Sequence, residues 1–165
     1  MISSKALKHE VRRLFNTELI RKQIRDSGEI QAWLVAETEG QVQGVGRRSR
    51  ISNRHVEIAA LNIDAKSHST GLGRSLIDEM TRFAHSHDAI RQSVWVFKGN
   101  QKAVRFYDSL GFCIFYENNY MHPITRETVR LVRMTRNIVS NEEAWRIMEP
   151  ISKLLKRDDR EQVNK

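Results

Sequence analysis

The sequence predicts one α/β domain, in which a mixed central sheet is flanked by helices, followed by a C-terminal helical extension. Two observations predict this class. Strand and helix patterns alternate through the middle of the chain, and that order implies parallel crossovers with helices covering the sheet. The 165 residues, 39% of them hydrophobic, can also close a single core. We expect the domain to span residues 1–138 and the extension with its charged tail to span 139–165.

The sequence of the first third of the chain predicts a helix followed by a hairpin. Apolar residues at helical spacing between residues 7 and 20 predict a helix that ends before Gly28. Residues 30–36 form a strand candidate, with a turn at Glu39–Gly40 and a partner strand over residues 42–46. Residues 55–63 then read as a well-buried strand.

The clearest helix begins after Gly71, where apolar residues recur three or four apart as far as His87. Residues 93–97 are rich in β-branched and aromatic side chains and predict a strand. Asn100 is expected to cap a short helix that Gly111 ends. Two further strands are predicted over residues 112–116 and 129–134. From residue 140 a capping-box pattern opens the extension, whose helix could pack on the domain or on a second subunit in a homodimer.

Charge and cysteine content limit the classes of protein. The net charge of +8 fits an anionic ligand, an acidic partner or nucleic acid. Its densest cluster, over residues 47–54, is interpreted as solvated surface charge. The single cysteine, Cys113, excludes a disulfide within the chain and is expected in the core. With no signal-peptide core and no apolar run of about 20 residues, we expect a cytoplasmic protein without a membrane partner. No metal site is predicted.

A bend with two glycines, Gly71 and Gly73, lies between the buried strand and the long helix. Unpaired N–H groups at the start of the helix and the helix dipole make such a bend an anion site, suited to a pyrophosphate. A Walker loop would need Lys-Ser/Thr after the last glycine, where this chain has Arg74-Ser75. A dinucleotide fingerprint would need Gly or Ala at Leu76. Neither ATP nor NAD is indicated.

A second motif, together with the bend, indicates one particular family. The run N-x-x-A-x-x-F-Y-x-x-x-G-F occurs unbroken from Asn100 to Phe112. With the bend, which fits Q/R-x-x-G-x-G/A except that His68 stands first, the chain resembles the GNAT superfamily of acetyl-CoA-dependent N-acetyltransferases over roughly residues 30–136. The family's first strand is not evident before the opening helix, unless it is a very short one near residues 1–2.

The resemblance implies a co-substrate and a binding site. Acetyl-CoA would donate an acetyl group directly to a primary amine of a small molecule or a protein. The pantetheine arm would bind the edge of a strand where two neighbouring strands splay apart, and an exposed N–H there would polarise the acetyl carbonyl. The expected cofactor-binding residues are Leu61, Asn62, Ile63, His68, Ser69, Thr70, Gly71, Leu72, Gly73, Arg74, Asn100 and Ala103.

Two residues are candidates for catalysis. By the resemblance, the Tyr107 hydroxyl would lie near the thioester sulfur and protonate the departing thiolate; the alternative is a plain core residue. Glu57 precedes the bend on the same strand as the glutamate of the family's histone-acetylating branch, which makes it a candidate general base. It could instead face solvent or pair with an arginine, and a chain of water molecules could serve as the base.

Three functions stay open at this point. The first is an N-acetyltransferase, which the intact Tyr107 motif favours. The second is a GNAT-like module that binds acyl-CoA as a sensor. The third, prompted by the charge, is a nucleic-acid binder or an acetyltransferase that acts on nucleic-acid-bound amines. No arginine-rich helix face stands out, so a nucleic-acid partner is disfavoured. The acceptor amine has no recognisable signature.

Overall fold

One mixed sheet of six strands organises the residues that this computed structural model describes, namely 3–5, 8, 9, 12 and 16–139. Helical residues at positions 4, 5, 8, 9 and 12 precede the elements that follow. In chain order these are α1 (Thr17–Arg25), β1 (Gln31–Thr38), β2 (Gln41–Ser52), β3 (His55–Ile63), a 3-10 turn (Ala65–Ser67), α2 (Leu72–Ser86), β4 (Arg91–Phe97), α3 (Gln101–Asp108), β5 (Cys113–Met121) and β6 (Thr128–Asn137).

The sheet consists of two antiparallel halves joined by one parallel pair. Its strand order is β1-β2-β3-β4-β6-β5. β1, β2 and β3 form an antiparallel meander, and β6 lies antiparallel between β4 and β5. Only β3 and β4 run parallel, connected by the crossover helix α2. The predicted mixed sheet flanked by helices is therefore confirmed.

The parallel pair separates part-way along its length. β3 and β4 pair from His55 to Ile58, although β3 continues to Ile63. At the same point the pairing of β3 with β2 skips Ala59, since Arg48 lies opposite Ile58 and Arg47 opposite Ala60. An extra residue of this kind is a β-bulge, which bends its strand and increases the local twist. We call the point after Ile58, where β3 leaves β4, the fork.

The two faces of the sheet differ in chemistry. α2 and α3 cover one face with an apolar core that includes Ile58, Ile77, Met80, Val94 and Phe112. Because side chains alternate along a strand, His55 and Glu57 lie on the opposite face. The strand registers bring to that face the side chains of Trp33, Arg47, Ser93, Trp95 and Arg133. We call it the polar face.

Most predicted elements are present, with different ends. The hairpin turn forms at Glu39 and Gly40, both with positive φ, as a type I′ turn requires. The predicted opening helix does not run unbroken, because the Asn16 side chain accepts a hydrogen bond from the Leu19 amide and starts a new helix at Thr17. β2 and β5 extend well beyond the predicted segments. Residues 1 and 2 and the extension from residue 140 lie outside the described residues.

Two expectations about exposure are wrong. Arg48 of the basic cluster is buried, with its Cζ 3.1 Å from the centroid of the Phe83 ring. Its guanidinium donates to the carbonyls of Gly28 and Glu29, so the strand alternation turns it inward rather than into solvent. Cys113 is exposed, because β5 is an edge strand and Phe112 takes the buried position before it. Within the described ranges, every helix is too short or too polar to cross a bilayer.

The core under α3 can be tested with two phenylalanines of one segment. Phe112 is fully buried and packs against Tyr107, whereas Phe115 is 67% exposed. Phe112→Ala should lower the free energy of unfolding by about 3–5 kcal/mol, since it removes a buried ring and leaves a cavity. Phe115→Ala should change it by less than about 0.5 kcal/mol. Urea denaturation of both variants checks this; equal losses would contradict the assigned core.

Candidate active site

The bend between β3 and α2 exposes the start of the helix. Asp64 caps the preceding 3-10 turn by accepting from the Lys66 amide at 2.8 Å. Gly71 then adopts φ +88° and begins α2 without a side-chain cap. Glycine reaches this left-handed conformation with little strain, whereas a residue with a Cβ does not. The first-turn N–H groups of α2 therefore have no side-chain cap and carry the positive end of the helix dipole.

A cavity of about 440 Å³ opens beside this bend. β3 beyond the fork, the bend and α3 form its walls. Its lining comprises Leu61, Ile63, Ser67, His68, Ser69, Gly71, Leu72, Gly73, Arg74, Asn100, Lys102, Ala103, Phe106, Tyr107 and Ser109. The structure thus brings together most of the predicted cofactor-binding residues, although they come from two separate motifs.

Two predicted residues, Asn62 and Thr70, are not among the lining residues. The Asn62 side chain is exposed on β3, and the prediction concerned its backbone. The Thr70 hydroxyl donates back to the Ser67 carbonyl at 2.8 Å, which uses its proton within the bend. Thr70 therefore shapes the bend rather than lining the cavity.

The second motif holds the far wall in place. The Asn100 side chain accepts from the Ala103 amide at 3.1 Å, which confirms the predicted helix cap. A Cβ on Gly73 would lie 3.3 Å from the Phe106 ring, so the second glycine of the bend lets α3 pack closely on α2. The two motifs therefore depend on each other for the shape of the cavity.

His68 links the two walls. Its Nε2 lies 3.1 Å from the Ile63 carbonyl and its Nδ1 lies 3.0 Å from Lys102 Nζ. Since the carbonyl can only accept and the ammonium can only donate, the geometry fits a neutral ring protonated on Nε2. Lys102 was missed in the sequence because it occupies an unspecified position of the motif. The signal available in the sequence was a positive charge within the motif, two residues after Asn100.

Tyr107 belongs both to the core and to the cavity. It is 6% exposed and its ring packs edge-on against Phe106 and Phe112, at centroid distances of 5.1 and 5.5 Å. It also lines the cavity. Burial raises the pKa of its hydroxyl far above the ordinary value, so the phenol stays protonated throughout the physiological range.

Glu57 lies one residue before the fork, on the polar face. Its carboxylate is 3.8 Å from a terminal nitrogen of Arg133, and its side chain is 20% exposed. Burial raises the pKa of this carboxyl, while the charges of Arg133 and Arg47 act in the opposite direction. The pairing with an arginine that the sequence left open is thus present, as a long contact rather than a tight salt bridge.

The family model for Acetyltransferase (GNAT) family matches residues 4–112, about two thirds of the chain. The chain belongs to the GNAT acetyltransferase family. It is therefore an acyltransferase whose co-substrate is acetyl-CoA. No curated protein matches this GNAT chain in sequence.

Solved structures share the GNAT fold at low identity. Ard1 from Thermoplasma volcanium is 20% identical, with 84% of this chain and 95% of that chain covered and a TM-score of 0.65. The ribosomal-protein-S18-alanine N-acetyltransferase from Escherichia coli is 18% identical, with 73% and 77% covered and a TM-score of 0.62. A GNAT acetyltransferase from Elizabethkingia anophelis with acetyl-CoA bound is 14% identical, with 74% and 83% covered and a TM-score of 0.62.

The described residues of this GNAT domain fit the chemistry of acetyl-CoA. A diphosphate needs N–H donors and positive charge, which the uncapped start of α2, Arg74 and Lys102 provide. A pantetheine arm carries amides that need backbone partners, and β3 beyond the fork has an edge that β4 does not occupy. Leu61, Ile63 and Phe106 supply apolar walls.

Gly71 and Gly28 form a matched pair for testing the bend. A Cβ added to either glycine would meet no atom within 4 Å, but of the two only Gly71 has a positive φ. Gly71→Ala should cost about 1–2 kcal/mol of stability through left-handed strain. It should also reduce the rise in melting temperature that acetyl-CoA produces, since the strained bend shifts its N–H groups. Gly28→Ala should match the parent in both measurements.

Differential scanning fluorimetry with acetyl-CoA, NAD and ATP gives the readout. Only acetyl-CoA should stabilise the parent protein. A Gly71→Ala protein that keeps the full acetyl-CoA response would show that the backbone of the bend does not hold the diphosphate.

Proposed function

We propose that the protein transfers an acetyl group from acetyl-CoA directly to a primary amine of a small molecule or a protein, within a domain spanning residues 1–138. The observation that carries this proposal is the fork, which lies between the cavity and the polar face. The cavity reaches β3 from the helix side, and Glu57 lies on the other side one residue before the fork. The two reactants can therefore approach a common point from opposite faces of the sheet.

Glu57 acts as the general base in this proposal. An alkylamine with a pKa near 10.4 is neutral in less than about one part in a thousand at pH 7, so a proton must be removed before attack. A half-buried carboxylate whose pKa is raised by burial is a better base than an exposed one. Its negative charge also attracts the ammonium form of the incoming amine.

Tyr107 acts as the general acid. Acetyl-CoA supplies the thioester, and the departing sulfur needs a proton from the enzyme. An ordinary phenol and an ordinary thiol differ by about 1.5 pKa units, an unfavourable transfer of about 2 kcal/mol. Burial raises the pKa of the Tyr107 hydroxyl further, and the same apolar surroundings also disfavour a thiolate, which acts in the opposite direction on the transfer. The phenol is thus held in the protonated form that an acid requires.

The backbone at the fork stabilises the reacting carbonyl. After Ile58, the edge of β3 that faces β4 is not paired, and the bulge at Ala59 changes the direction of its amides. A fixed N–H that points at a developing oxyanion can lower the barrier by a few kcal/mol. We assign this role to the backbone of Ala59 to Leu61, without any side chain.

Replacing the proposed acid tests whether the protein is an enzyme or an acyl-CoA sensor. Tyr107→Phe keeps the ring that packs on Phe106 and Phe112 and removes only the hydroxyl. The kcat for thiol release with an amine panel should fall about 100-fold or more. The stabilisation by acetyl-CoA should persist. Unchanged turnover would refute the assignment of the acid, and no turnover in the parent with any amine would favour the sensor.

The pH dependence tests the base. Only ionised Glu57 can accept a proton, so kcat/KM should fall as pH decreases through its pKa, which burial holds above the usual carboxyl value. Glu57→Gln should lower kcat/KM about 100-fold and remove this acid limb. Acceptors with different pKa values separate the ionisation of the amine from that of Glu57. An acid limb that is identical in Glu57→Gln would exclude Glu57.

A further inference from the structure

The polar face at the fork holds more positive than negative charge. Glu57 lies between two arginines, Arg133 at 3.8 Å and Arg47, whose charges both act on its carboxyl. Ser93 lies opposite Glu57 on β4, and its hydroxyl is 2.7 Å from Nε2 of His55. Neither side chain adds a negative charge. Two guanidinium groups therefore share one carboxylate.

Both arginines are held in place by tryptophans. The Cζ of Arg47 lies 5.9 Å from the Trp33 ring centroid and that of Arg133 lies 5.5 Å from the Trp95 centroid. Trp95 in turn packs edge-on against Tyr116 at 6.2 Å. Stacking on aromatic rings limits the motion of a guanidinium and leaves its in-plane donors free to bind a ligand.

Two donors in this group are buried and have no hydrogen-bond partner among the described residues: Nε of Arg133 and Nε1 of Trp33. The Arg133 terminal nitrogen that contacts Glu57, Nη2, also lies 3.4 Å from the Ser93 hydroxyl, and it shares one edge of the guanidinium with the unsatisfied Nε. A buried donor without an acceptor costs about 1–3 kcal/mol, which an acceptor atom would recover once neighbouring side chains move to admit it.

Burial also affects the charges themselves. It lowers the pKa of the Arg47 guanidinium, which Glu57 only partly offsets. A second carboxylate between the arginines would balance the charge of the group and accept hydrogen bonds from the donors that lack partners. The ammonium of the same molecule would then lie toward Glu57.

We propose that the acceptor is an amine that also carries a carboxylate, which Arg47 and Arg133 bind while Glu57 receives the amine. This inference rests on the proposed function and specifies its substrate class. The shared chemistry, a carboxylate near an amine, occurs in free amino acids and in peptides with an acidic side chain close to their N-terminus. Arg47 and Arg133 are thereby specificity-determining residues, and Trp33 positions Arg47.

Matched acceptor pairs test the proposal. Lysine is compared with cadaverine, phenylalanine with phenethylamine, and C-terminally amidated Ala-Asp with amidated Ala-Asn, with thiol release from acetyl-CoA as the assay. At least one carboxylate-bearing member should exceed its partner in kcat/KM by about 10-fold or more, as expected for charge-assisted hydrogen bonds. A preference confined to the free amino acids or to Ala-Asp identifies which source is used.

Arginine variants link that preference to this site. Arg133→Gln should lower kcat/KM for the preferred acceptor about 10- to 100-fold more than for its carboxylate-free partner, and leave KM for acetyl-CoA within about twofold. Comparing two acceptors in one variant cancels the effect of the lost charge on Glu57. Arg130→Gln, an exposed arginine of the same strand, is the control and should match the parent. Arg47→Gln serves as the second variant should Arg133→Gln fail to show the melting transition of the folded parent.

The outcomes separate the two proposals. Carboxylate-free amines that react as well as their partners would overturn the carboxylate inference and leave the acetyltransferase proposal intact. A panel in which no amine reacts, although acetyl-CoA binds, would overturn both. A carboxylate preference that survives in both Arg133→Gln and Arg47→Gln would overturn the assignment to these residues.

Discussion

The separation of β3 from β4 after Ile58 is the constraint on which the rest of the structure depends. A parallel pair normally satisfies its backbone hydrogen bonds along its whole length. Here the extra residue Ala59 lies where the pairing of β3 with β4 ends, and an edge of β3 is left that β4 does not occupy. The sheet still holds together because β2 supports β3 and β6 supports β4 along the separated segments. The cavity, the bend and the proposed catalytic residues are all arranged around this gap.

The two faces of the sheet differ at the fork, and the proposed reaction assigns one reactant to each face. The helix-covered face is apolar and ends in a cavity whose lining includes cationic side chains, which suits a long ligand with a phosphate-rich end. The polar face carries arginines, tryptophans and one carboxylate, which suits a small polar acceptor. In the proposed direct transfer, neither reactant would have to cross the other's site, and both would meet at the same gap.

His68 departs from the family pattern at the bend, and the cavity is still present beside it. In place of a side chain reaching to the ligand, the ring joins the end of β3 to Lys102 on α3. The backbone of Gly71 to Arg74 still lines the cavity, because its conformation depends on the glycine and on the start of the helix. Lys102 brings a positive charge to the cavity, held there by the ring.

Local patterns in the sequence determined the element types, the glycine bend, the Asn100 cap and the family, because each depends on residues close together in the chain. The sequence did not determine the break at Asn16, the full lengths of β2 and β5 or the inward position of Arg48, since these depend on which strand lies alongside. The sequence also did not predict the polar face. Trp33, Arg47, Trp95 and Arg133 come from four strands, and only the register of the folded sheet brings them around Glu57.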